Sequence, residues 1–542
     1  MIMRLALLTM LCLTGCKDPS TDSGEGLLGT GWLDPYPSVH MVDADGHLAL
    51  DADVMPNVGG TSLPVGLTNW RTGFSVAQTA IVRLSNVDST ALPHWSNPTP
   101  GEGGVRLLDL DTGEFLPVMA ELDAWPNTSR EPALIVRPLT AMTPGHRVAV
   151  VVMDEVTERP ERFDGLISGA PPESLADHEA HYTELMQELA DAGVAPDGVA
   201  FAWDFPIGDG TRPAVTAIEG SVADDVSWSF NSIREGDDAA TTAFRSAEGV
   251  FHATGFLDDD GVLNLDATGA AQRTGVFEAD IWVHIPESVK DRPAGTVPVM
   301  IFGHGIFGAP EYYLDSNNPT STMRLADEQG YIMVASSWRG LSRKDTGLAL
   351  GVAANFEQLP QLPSHLVQSQ VSTRAIADAI VHGKLLDDPV FNGAQGQSLA
   401  ERGRLIYYGI SLGGIQGGVF LALDAPVEAG VLHVPGAMWA TMLERSSNFP
   451  IFEDQVVGKV DDPFERQVLY SWSQLHWDPA DPINYAENLG TKTVLLQEAL
   501  HDEQVPNLTT RSLARSAGIP AVGPSTQRPW GMEQLDAPQG PG

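Results

Sequence analysis

The stretch Gly409-Ile410-Ser411-Leu412-Gly413 holds the clearest capacity for chemistry in this chain. A serine hydroxyl attacks a carbonyl only when a base takes its proton and the backbone presents it free of its neighbours. Glycines on both sides permit the tight strand-to-helix turn that does this. Glycine supplies 54 of the 542 residues, so the pentapeptide alone carries little weight. Its surroundings give it meaning. Arg404 to Tyr408 reads as a buried β-strand, and the small-residue run from Gly413 to Leu423 reads as a helix. That helix would aim its N-terminal amides at the serine, and Gly417-Gly418 would let it lie close against a neighbour. The spacing predicts Ser411 as a nucleophile.

A nucleophilic serine needs two further groups: donors for the oxyanion, and a histidine whose tautomer a carboxylate fixes. Upstream, the strand ending in Met300-Ile301-Phe302 runs into Gly303-His304-Gly305-Ile306-Phe307-Gly308. Downstream, Thr493 to Glu498 ends in Ala499-Leu500-His501-Asp502-Glu503-Gln504-Val505-Pro506, where Asp502 is the carboxylate best placed in a turn and Glu498 lies within the strand.

These segments must be carried by a sheet. From about residue 276 strands and helices alternate, which predicts an α/β domain with a mostly parallel sheet covered on both faces. Strands are expected at 278–285, 297–302, 331–337, 404–408, 429–434 and 493–498, with helices at 319–329 and 366–386.

With this order, GISLGG, GHGIFG and the D-x-x-V-P turn resemble the α/β-hydrolase fold serine lipases and esterases over residues 276 to 522. The likeness extends loosely to bacterial lipid-anchored lipases with an Ig-like N-terminal domain. The resemblance implies hydrolysis of a small-molecule or lipid ester through an acyl-serine, without a cofactor or metal. It implies oxyanion donors at the backbone amides of Ile306 and Leu412, a loop braced by His304 and Gly305, and Asp502 as the acid. It also places the base after the acid, yet no histidine follows His501. On that pattern the hydrolase domain, 276–542, is C-terminally truncated and lacks its catalytic histidine. The strand at 493–498 is then left with an unpaired edge, and His501 is the alternative base. Two other functions fit the same residues: a serine peptidase on the same fold, and a catalytically dead surface-binding lipoprotein.

The N-terminus carries an address. Met1 to Gly15 holds one cation, Arg4, and an apolar run too short to span a bilayer, which reads as a signal peptide over 1–15. Leu13-Thr14-Gly15-Cys16 resembles a lipoprotein lipobox, implying lipidation of Cys16 and a membrane anchor in a bacterial cell envelope. The sequence has two cysteines, Cys12 and Cys16, so no disulfide forms once the leader is removed. Residues 16–33 read as a flexible tether. The formal charge of −40, from 71 acidic against 31 basic residues, repels polyanions and argues against nucleic-acid binding.

Between tether and hydrolase domain, residues 34–165 carry short apolar runs separated by turn clusters, the pattern of an all-β sandwich, here Ig-like by resemblance. Residues 166–275 read as a connecting α+β segment with one amphipathic helix, Ser174 to Gly193. His178 and His181 lie three apart on it, and acidic neighbours predict a solvated face rather than a metal site. Asp258-Asp259-Asp260-Gly261 reads as a hairpin turn, because the residue at the first position of an EF-hand loop would be Phe256. Met438, Trp439, Met442, Leu443, Phe449 and Ile451 are expected to form either a cap over the site or core-facing helix.

Overall fold

The computed structural model describes residues 27–29, 31, 33–124, 132–236, 243–314, 320–524 and 527–536. Cys16 and the leader lie outside these residues.

Branched apolar runs in the first part of the chain form two antiparallel sheets. One has the order β1-β5-β4 and the other β3-β2-β6-β7. The strands are β1 (Ala80–Arg83), β2 (Val105–Asp109), β3 (Glu114–Leu116), β4 (Val118–Leu122), β5 (Ala133–Pro138), β6 (Arg147–Met153) and β7 (Val199–Pro206). β5 is buried along its whole length and β6 almost so, which is why ALIVRP and RVAVVV read as continuous apolar runs. The second sheet reaches past the expected boundary at 165. β7 lies in register with β6, from Arg147 opposite Pro206 to Val151 opposite Ala202. Seven of its eight residues are buried, and such a strand needs ladder partners for its backbone. The helices Glu161–Ile167 and Glu179–Asp191 pack beside it, with the Phe163 ring 4.9 Å from Phe201 and 6.0 Å from Tyr182.

The larger sheet has eight strands in the order β15-β14-β13-β11-β12-β10-β9-β8. They are β8 (Ser227–Glu235), β9 (Ala243–Gly255), β10 (Gly275–Pro286), β11 (Val297–Gly303), β12 (Ile332–Ala335), β13 (Ala400–Ile410), β14 (Ala429–His433) and β15 (Val494–Gln497). β8 to β10, with β10 against β12, pair antiparallel, while the remaining five strands are mutually parallel. The sheet therefore takes in β8 and β9, upstream of residue 276, because the long β9–β10 hairpin joins the connecting segment to the parallel strands. Asp258 closes an adjoining turn by accepting hydrogen bonds from Asp260 N and Val262 N.

Helices cover both faces. Tyr407 packs on Phe420 of the helix Leu412–Ala422 on one side. On the other, Met300, Phe302, Ile406, Tyr408 and Ile410 meet Leu314 and Ala326 of the helices Pro310–Leu314 and Ser321–Gln329. β15 stands at the sheet edge, with Leu495 47% exposed. Among the described residues no helix is long and apolar enough to cross a membrane.

Candidate functional site

Ser411 sits at the junction of β13 and the helix Leu412–Ala422, with φ 55° and ψ −115°. A non-glycine residue in this conformation is strained, and here the surroundings hold it. Its N–H donates to the carbonyl of His433 on β14 at 2.9 Å, and its own carbonyl accepts from Ile415 N. The flanking glycines are required by space. A Cβ at Gly409 would lie 2.1 Å from the Gly413 carbonyl oxygen, and one at Gly413 would lie 2.2 Å from that of Gly303. The helix is pinned by Tyr407, whose hydroxyl donates to the Gly413 carbonyl at 2.6 Å. A Cβ at Gly417 would strike the Tyr407 ring, so this glycine sets how closely helix and strand approach.

The loop after β11 lies beside the serine. A Cβ placed on Gly305 would be 3.7 Å from that of Ser411. His304 is fully buried. Its Nδ1 donates to the Gly305 carbonyl at 2.8 Å and its Nε2 accepts the Trp338 N–H at 2.9 Å. Burial pushes its pKa below the usual histidine range, so the neutral ring ties the loop to the segment after β12. Among the described residues, neither the Ile306 nor the Leu412 N–H is taken by a hydrogen-bond partner. Phe307 and Gly308 instead bond back to Leu341 and Gly305, with Phe307 at φ 51°.

An apolar cavity opens at this loop. It is lined by Ile306, Phe307, Leu443, Phe449, Phe452 and Trp477, together with Val352 and Phe356. It contains about 720 Å³ of empty space, part of it open to solvent. In the segment expected to be either cap or core, Met438, Trp439 and Met442 are buried, while Leu443 and Phe449 line this cavity. Asp481 holds the segment in place by accepting from the Met438 and Trp439 N–H groups and from Gln474 Nε2. Its full burial raises its pKa to about 6.

Asp502 lies apart from this cluster. Its Oδ1 accepts the Gln504 and Val505 N–H groups, shaping the turn after β15. It lines a polar cavity with His501, Trp95, Arg511, Arg515 and Trp530. No hydrogen bond or ion pair joins Asp502 to a histidine among the described residues. Glu498 is engaged by Arg511 at 2.8 Å. His501 sits at φ 59° with its backbone N–H on Asn507 Oδ1.

Two other groupings of ligand-type side chains occur in the N-terminal region. Instead of a solvated face, His178 and His181 pack against His40, whose ring lies 4.1 Å from His178 and 5.9 Å from His181. His181 Nε2 is 2.7 Å from Asp204 Oδ1, and that hydrogen bond raises the His181 pKa. His40 comes from a distant segment, so no local spacing announced it. Asp109, Asp111 and His146 bring ligand atoms within 4.8 Å of one another, but Asp109 Oδ2 already pairs with His146 Nδ1, Asp109 Oδ1 accepts the Asp111 and Thr112 N–H groups, and Asp111 Oδ2 accepts that of Arg147.

No protein-family model and no curated protein matches this chain. Among solved structures, it is similar to an acetyl xylan esterase from Paenibacillus sp. R4, at 14% identity and a TM-score of 0.35, over 56% of this chain and 82% of that one. It is also similar to acetyl xylan esterase 1 from Thermoanaerobacterium sp. JW/SL YS485, at 15% identity and a TM-score of 0.36, over 57% and 86%. A third similarity is to an acylaminoacyl peptidase of Pyrococcus horikoshii, at 18% identity and a TM-score of 0.28, over 50% and 41%. Likenesses this slight carry no functional argument, which rests on the geometry around Ser411.

Proposed function

We propose that this chain is an α/β-hydrolase that cleaves carboxylic esters through an acyl-Ser411 intermediate. The strained turn that lifts Ser411 between β13 and its helix, beside two unpartnered backbone N–H groups, carries the reading. Such a turn costs stability and persists where the surroundings over-determine it, as they do here. In this reading Ser411 Oγ attacks the ester carbonyl. The Ile306 and Leu412 amides receive the developing oxyanion. His304 and Gly305 hold the loop.

The apolar cavity that starts at Ile306 supports an ester over a peptide, because its walls offer an acyl chain burial and offer a peptide backbone few partners. The full chain should hydrolyse p-nitrophenyl butyrate, and Ser411→Ala should remove that turnover while leaving the circular dichroism unchanged. A Ser411→Ala variant that still turns over would end the reading.

The same proposal places the protein in a bacterial cell envelope, anchored through lipid on Cys16, with the two antiparallel N-terminal sheets as an Ig-like spacer. Cys16→Ser should move the protein from the membrane fraction to the soluble one; unchanged partitioning would contradict the anchor.

A further inference from the structure

Ser411 needs a base, and three histidines stand at or just beyond the carboxyl ends of the parallel strands. His304 is closed to the role, since both ring nitrogens are committed in a fully buried site. His501 follows β15, two strands away from β13 in the sheet order, or about 10 Å at the usual strand spacing. His433 ends β14, the immediate neighbour of β13, about 5 Å away.

The register is specific. His433 is the partner of Ile410, the residue before the nucleophile, and its carbonyl accepts the Ser411 N–H. Its side chain leaves the sheet on the Ile410 face, away from the Leu412–Ala422 helix. The ring is already oriented. Nδ1 lies 3.0 Å from Oε1 of Gln497, the register partner of His433 on β15. Nδ1–H therefore donates to the amide oxygen, and Nε2 keeps its lone pair. His433 is only partly buried.

We propose that His433, held by Gln497, is the general base for Ser411. This rests on the ester-hydrolase reading above. Histidine–serine pairs are defined by geometry and not by sequence order. As Oγ bonds to the carbonyl carbon, its proton passes to Nε2 and the C=O π pair moves to the carbonyl oxygen. The imidazolium returns that proton to the departing alkoxide as the ester C–O bond breaks. Water then attacks the acyl-serine by the same transfers, releasing the acid and the free serine. Among the described residues the Ser411 hydroxyl has no hydrogen-bond partner before substrate arrives, which is common in ligand-free sites. Gln497 is a positioning residue: it fixes the tautomer with a neutral oxygen, where a carboxylate would also stabilise the imidazolium.

The test uses the full chain, p-nitrophenyl butyrate, and the rate at which a fluorophosphonate labels Ser411. His433→Ala should lower both kcat/KM and the labelling rate about 10²–10⁴-fold, and His501→Ala should not. Gln497→Glu should move the acid limb of the kcat/KM profile to higher pH, because a carboxylate beside the ring raises its pKa. Gln497→Leu should lower kcat without that shift. The two Gln497 variants keep the test open should His433→Ala misfold. Wild-type rates in folded His433→Ala, the large loss falling on His501→Ala, or an unmoved acid limb in Gln497→Glu would each overturn the proposal while the ester-hydrolase reading stood. Absence of both turnover and Ser411 labelling in the wild type would instead overturn the underlying reading, and this one with it.

Discussion

Replacing Arg71 by methionine should destabilise the whole molecule, and the structure sets how much. The guanidinium is 1% exposed and its Nη2 lies 2.6 Å from Oδ2 of Asp478, which is 0% exposed. It also donates to the Leu475 and Gly73 carbonyls. Removing one partner of such a buried pair costs about 3–5 kcal/mol, because the other charge stays buried. Asp478 keeps Ser75 Oγ at 2.7 Å, Gln474 Nε2 at 3.0 Å and Asn484 Nδ2 at 3.1 Å, which places the loss toward the lower end, about 3 kcal/mol. On the Gly210 side Asp478 is tightly packed, since a Cβ there would sit 2.5 Å from that of Asp478. Because this network joins the N-terminal region to the helix Pro463–Trp477 behind the apolar cavity, the lost stability should come with weakened esterase activity. Urea denaturation followed by tryptophan fluorescence measures it. Adding Asp478→Asn to Arg71→Met should recover part of the loss by removing the orphaned charge. A loss below about 1 kcal/mol for Arg71→Met would refute the reasoning that this pair clamps the two regions together.

Two further predictions concern the cavity and the pH response. For p-nitrophenyl esters, kcat/KM should rise about fourfold per methylene from acetyl through butyryl, following about 0.8 kcal/mol per buried CH₂, and Phe452→Ala should move the optimum to longer chains; an acetyl optimum would contradict the assignment of this cavity to the acyl group. His476 is buried against Trp472, and burial, with Arg71 nearby, pushes its pKa down to about 3. The unfolded chain takes up this proton near pH 6.5 and the folded one does not, so its share of stability is complete above that pH and is lost as pH falls, by about 1.4 kcal/mol at pH 5.5. His476→Gln should therefore flatten the fall in stability between pH 7.5 and 5.5 by that amount; an unchanged fall would show that the ring is protonated in the fold.

The parts of the site legible in the sequence are those whose signals are local. The strand-turn-helix around Ser411 is written in consecutive residues, as is the loop from Gly303 to Gly308, because glycine spacing and strand patterning act over a few positions. The strands expected from residue 278 onward also form within a few residues of those positions, though β13 starts earlier, at Ala400. Relations set by pairing were not legible. That β7 completes an N-terminal sheet, and that β8 and β9 extend the large one, follows from ladders between separated segments. His433 drew no notice because nothing in Val431-Leu432-His433-Val434 marks it; its place beside Ser411 comes from the register of β14 on β13. The same holds for His40 beside His178 and His181. Chain order points to a base after Asp502; the base proposed above comes from before it and rests on strand register instead.

The central claim is that Ser411 is an activated nucleophile that forms a covalent bond to an electrophilic substrate. Incubating the full chain with a fluorophosphonate, followed by intact and peptide mass spectrometry, tests it directly. A single adduct on the peptide containing Gly409 to Gly413, absent in Ser411→Ala, is the predicted result; no adduct, or an adduct that persists in the alanine variant, would contradict it.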